Sequence, residues 1–214
     1  MNTPHAVSPR WEPSDSPCWE PCEPPQLPLE LSKQLPELPP NPRVLLLIDV
    51  DCVSYGLMEG TGKRACNEEM SACLELVHAT AARVDRRYWT RTRRALSSAT
   101  AEHHLDVLIS APSNSFTVRY GRDGADLALI EKLDDLLKIR STTARLGRKR
   151  PIQHADLVIL VGHDGIYAPP VGELRLQGTP TWLLALSDQV ADSLQKAACA
   201  VDYIGPGRPS PPAA

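Results

Sequence analysis

Residues 45–53 read LLLIDVDCV, four aliphatic side chains in a row that stop at Asp49. So short an unbroken apolar run, ended by acid, fits a strand buried on both faces, as in a parallel sheet covered by helices. Residues 157–167, LVILVGHDGIY, repeat the pattern and stop at Asp164. In sheets of this kind the carboxyl ends of the strands open into the ligand site.

Working outward, strand and helix signals alternate. Residues 43–50, 105–110 (LDVLIS), 156–161 and 181–186 (TWLLAL) read as strands, and 116–120 (FTVRY) as a short one. Apolar residues at helical spacing mark helices over 68–84 and 125–139. A short helix follows residue 167, with Pro169 and Pro170 in its first turn and Gly178 at its end. Another is expected from a Ser187 cap to about Cys199. The arginine-rich stretch 85–104 is drawn as a helical extension or a second helix. The alternation predicts an α/β fold, a three-layer α/β/α sandwich with a mostly parallel sheet.

Composition bounds the rest. A chain of 214 residues with 42% apolar content accommodates one core domain, and 5% aromatic content predicts an aliphatic interior. The net charge of −3 argues neither for a generic polyanion binder nor for a membrane-surface protein. Residues 1–42 are rich in Pro and Glu and are expected to form a disordered tail. Residues 43–205 form the domain, and 206–214 a second disordered end. The tail is either solvated chain or a docking segment for a protein partner through Trp11 and Trp19. No aliphatic run approaches bilayer length, and the six cysteines form no disulfide framework; Cys18 and Cys22 lack the partners of a zinc site. The expectation is a cytoplasmic protein.

Asp49, Asp51, Asp126 in GRDGADLAL (residues 121–129) and Asp164 all fall on the carboxyl pole of such a sheet. Crowded carboxylates need raised proton affinity or a hard cation, Mg²⁺ or Mn²⁺. Singly, Asp51 or Asp126 also suits a helix cap. Ser110, Asn114, Arg119 and Arg122 are the polar residues expected nearest the acids and therefore a scissile phosphate. Two basic clusters, Arg83–Arg94 with Tyr88 and Trp89 interleaved and Arg145–Arg150, serve either as phosphate contacts or as solvated charge. No Walker A loop or GxGxxG turn is present.

LLLIDVDCV, DGADLALIEKL, ADLVILVGHDGIYAPPVGELRLQGTPTWLLAL and SDQVADSLQKAACAVDYI, taken together, resemble the NYN domain of the PIN-like ribonuclease superfamily over most of residues 43–205. The resemblance implies a PIN-like fold and metal-dependent cleavage of RNA, with the family's acids falling on Asp49, Asp126 and Asp164. Three positions depart from the family's pattern: Cys52 replaces an Asn, Ile166 a second acid, and His163 a Gly. Fewer ligands imply weaker metal affinity, so a catalytically weakened domain that binds RNA or protein is the alternative. DVDCV also fits the signature of haloacid-dehalogenase-like phosphatases, with Asp49 as nucleophile, Asp51 as general acid and Ser110 on phosphate.

Overall fold

A computed structural model describes residues 35–110, 116–121, 123–145, 154–186 and 189–204. Six strands form one sheet: β1 (Val44–Asp49), β2 (Thr92–Ser97), β3 (Phe116–Arg119), β4 (Leu157–Val161), β5 (Thr181–Ala185) and β6 (Ala200–Tyr203). The order is β3-β2-β1-β4-β5-β6 and every pairing is parallel, so the expected mostly parallel sheet is wholly so. The chain steps outward from β1 to β3, then returns to start the other half at β4. The topological switch point therefore lies between β1 and β4, where α/β sheets leave a crevice.

Successive side chains on a strand point to opposite faces, and the two aliphatic central strands serve both. Leu46 and Ile48 of β1, Leu157, Ile159 and Val161 of β4, and Leu96 of β2 pack beneath α1 (Val50–Thr61), α2 (Asn67–Val84) and α3 (Ser98–Ser110). Leu47, Val158, Leu160 and Leu183 face α4 (Gly124–Arg145), α5 (Ala168–Leu176) and α6 (Asp192–Ala197). Each fully buried Leu or Ile contributes about 1.5–3 kcal/mol of transfer free energy, so this two-sided packing holds the strand ends in place. Leu35 and Leu38 also pack on the first of these cores, so the folded unit begins before residue 43. The expected tail and C-terminal end otherwise lie outside the described residues.

The stretch 85–104 corrects the sequence reading. It contains a 3₁₀ turn (Tyr88–Arg91) and the whole of β2, then enters α3. Polar TRRALS forms a central strand because Arg94, 1% exposed, donates to the Leu108 carbonyl at 2.8 Å and lies over the Phe116 ring. LDVLIS, expected as a strand, is the second half of α3. Its buried positions His104, Val107 and Leu108 have helical spacing, while Leu105 and Ile109 are exposed. The last helix is shorter than expected, and β6 follows it as an edge strand held by Trp182 Nε1 donating to Asp202. Ser187 lies outside the described residues. Among the described residues, no helix is long and apolar enough to cross a membrane.

Candidate functional site

β1 ends at Asp49, which caps α1 and is 1% exposed. Burial of a carboxylate is costly unless donors surround it. Its Oδ1 accepts from the Cys52 backbone N–H at 3.0 Å; Oδ2 accepts from the Cys52 thiol at 3.1 Å and lies 2.7 Å from the Tyr167 hydroxyl. On the face of the sheet that Leu47 and Asp49 share, Asp126 sits in the first turn of α4, and its Oδ1 is also 2.7 Å from the Tyr167 hydroxyl. Asp164 follows β4, caps the 3₁₀ turn Gly165–Tyr167 by accepting from the Ile166 N–H at 3.0 Å, and is exposed.

That turn brings Tyr167 back over the strand end. A Cβ at Gly162 would lie 3.3 Å from the Tyr167 ring, so the missing side chain makes room for the phenol. One hydroxyl carries one proton and cannot donate to two carboxylates at once. The bridge closes when Tyr167 donates to Asp49 and protonated Asp126 donates to Tyr167. Burial, followed by the Asp49 and Asp164 charges, supplies the reason: together they push Asp126 up to about 7, against the lowering effect of the Tyr167 hydrogen bond. Burial and the same carboxylates raise Tyr167 itself, which stays a phenol. Burial and Asp49 likewise raise the Cys52 thiol, so Cys52 is no nucleophile.

The structure thus brings together Asp49 and Asp126 through Tyr167, with the charge of Asp164 acting on Asp126. Asp51 is turned elsewhere: both its oxygens accept from the Ser97 N–H, at 3.0 and 3.1 Å, and Oδ1 also accepts from the Ser97 hydroxyl. It ties α1 to the end of β2. Ser110 is the last residue of α3, and its side chain lies outside what the structure describes. Arg119 ends β3 on the correct pole but is ion-paired with Glu131 at 2.5 Å. Asn114 and Arg122 lie outside the described residues.

Several members of the first basic cluster are engaged within the fold. Arg91 pairs with Asp85, Arg93 donates to the Thr92 carbonyl, and Arg94 and Tyr88 are buried. Of the second cluster, residues 146–150 lie outside the described residues. The carboxylate cap at the start of α1 also separates this fold from dinucleotide binders with the same strand order. Where those place a pyrophosphate on helix N–H groups, this chain places Asp49. The phosphatase scheme loses support as well, since Asp49 turns no accessible oxygen outward and Asp51 is held by Ser97.

Among the described residues, no group of three or more His, Cys, Asp or Glu side chains is gathered closely enough to hold a metal ion. The donor chemistry nevertheless fits a hard cation: the acids offer oxygen only, and burial, followed by the neighbouring acids, leaves Asp126 holding a proton that a cation could replace. The sequence reading missed Tyr167 and marks His163 only as a departure from the family's Gly; His163 Nε2 is 3.9 Å from Cys52 Sγ, and its ring meets Tyr55 at 5.8 Å. The one signal for Tyr167 is a polar-tipped aromatic three residues beyond Asp164, a pattern shared by ordinary core tyrosines.

No family model and no curated protein sequence matches the chain. In fold, the chain is similar to the crystal structure of a protein of unknown function from Vibrio parahaemolyticus. The two share 15% identity at a TM-score of 0.45, over 77% of this chain and 93% of that one.

Proposed function

We propose that the carboxyl pole is the active site of a metal-dependent ribonuclease of NYN, PIN-like type, in which Asp49, Asp126 and Asp164 would hold Mg²⁺ or Mn²⁺. The observation that carries this reading is the meeting of Asp49 and Asp126 on the Tyr167 hydroxyl, 2.7 Å from each, at the carboxyl pole beside the switch point, with the Asp164 charge bearing on Asp126. When bound, such an ion neutralises phosphate charge and acidifies a water. The protein's own part follows from its geometry. Asp126 must release its proton before it can serve as a charged ligand. Tyr167 and the Cys52 N–H orient Asp49, and Asp164 presents its carboxylate at the solvent side. Cleavage of labelled RNA in Mn²⁺ tests the reading. Asp126→Asn and Asp164→Asn are each expected to reduce the rate by about 100-fold. Cleavage that ignores both substitutions, or that persists in chelator, contradicts it.

A second reading has its own support. Tyr167 satisfies Asp49 and Asp126 without a cation, which suits a domain that binds RNA or a protein and has lost turnover. RNA binding by the wild type without cleavage in any divalent ion would favour that module. Both readings suit a cytoplasmic setting, because Cys52, Cys66, Cys73 and Cys199 are free thiols. The Pro-rich tail is then the segment for a protein partner.

A further inference from the structure

The lip of the acidic site carries a ring pair that the metal chemistry does not use. Tyr55 of α1 is 45% exposed, and His163, the residue before Asp164, is half-buried; their ring centroids are 5.8 Å apart at a 40° tilt. Single exposed aromatics are ordinary on protein surfaces. This one is joined to the acids through successive near neighbours: His163 Nε2 is 3.9 Å from Cys52 Sγ, which is itself 3.1 Å from Asp49 Oδ2.

The pair is also held firmly. Asp49 caps α1 at its start, and Asp51 binds the helix to Ser97. One residue beyond Tyr55, Gly56 lets the helix press on Leu186, where an added Cβ would come within 2.7 Å of the Leu186 Cβ. A backbone pinned on both sides presents the Tyr55 ring outward without further ordering, which lowers the entropic cost of binding a flat ligand.

We propose that Tyr55 and His163 form a stacking subsite for an unpaired nucleobase of the strand whose phosphate lies at the acids. This rests on the ribonuclease reading for the strand's identity and adds the kind of nucleotide the site accepts. A base within a duplex has its faces covered by its neighbours, so the subsite selects single-stranded or unstacked positions. Every base has a π-face, and the selection is therefore for exposure rather than for sequence.

The test is fluorescence anisotropy with the full chain in Ca²⁺, comparing a short labelled oligoadenylate with an abasic strand of equal length. The wild type is expected to bind the strand with bases about 10-fold more tightly than the abasic one. Tyr55→Ala and His163→Ala should each remove most of that preference and leave abasic binding unchanged, while Tyr55→Phe keeps it. Thermal unfolding of each variant confirms that it is folded, and His163→Gly serves as a second variant at that position. A preference for bases that survives Tyr55→Ala and His163→Ala, or no preference in the wild type, overturns the subsite while the cleavage assay still stands. Absence of binding to either strand overturns the subsite and the RNA reading together.

Discussion

Tyr167 is the residue on which the chemistry of the pole turns. Its hydroxyl is shared by two carboxyls, and a shared proton needs a carboxyl that holds it at neutral pH, the role Asp126 fills. The raised proton affinity has a definite sign in stability. Asp126 binds its proton more tightly folded than unfolded, so its contribution is complete below the usual carboxyl range near pH 4 and is lost as pH rises through about 7. Asp126→Asn removes the penalty carried above that window. It should raise stability at pH 8 by about 1–2 kcal/mol, reduced from the full shift because the carboxyl is partly exposed, and add nothing below about pH 4. Urea unfolding at the two pH values checks this, and an equal effect at both would contradict the account. The three acids were legible in the sequence because aliphatic runs stop at two of them. Tyr167 was not, since nothing local distinguishes a bridging phenol from one packed in a core.

At the scale of elements, the sequence and the structure part at β2 and α3. TRRALS was read within a helical stretch because two adjacent arginines break the apolar pattern of a buried strand, whereas LDVLIS passed for one. The exchange is possible because Arg94 lies over the Phe116 ring, its Cζ 5.9 Å from the centroid, and reaches the Leu108 carbonyl, burying its stem among apolar neighbours. The accommodation is incomplete: Nε and Nη2 of Arg94 are buried without a hydrogen-bond partner, and burial pushes the guanidinium down to about 10. Replacing a poorly compensated buried charge with an apolar side chain of similar length is often neutral or stabilising. Arg94→Met is therefore expected to be as stable as the wild type or more so, by up to about 2 kcal/mol in urea unfolding. A loss of about 3 kcal/mol or more would mean that the charge is compensated after all. The elements from β4 to β5 are legible because their aliphatic runs and proline or glycine boundaries carry no such conflict, whereas the short α6 and the edge strand β6 carry too few apolar residues to be separated in the sequence.

Across the whole molecule, the wholly parallel sheet gathers the strand ends at one pole, with the switch point at β1 and β4, where sheets of this kind commonly bind ligands. This level was the most legible, because it follows from alternation alone, whereas the partners of Asp51 and the placing of Ser110 depend on which segment is the second strand. Two opposed electrostatic contributions over the same pH window also meet at this scale. Burial and Arg94 push His78 down to about 4, so its contribution is lost as pH falls below about 6.5, opposite in sign to that of Asp126. The two slopes offset one another, and the stability profile of the wild type alone hides both. Proton release on metal binding isolates the site. Mn²⁺ titrated into weakly buffered protein near pH 6.5 should displace about one proton per ion as Asp126 becomes a ligand, and Asp126→Asn should abolish that release. Binding without proton release, or no binding at all, would contradict a metal centre built on Asp49, Asp126 and Asp164.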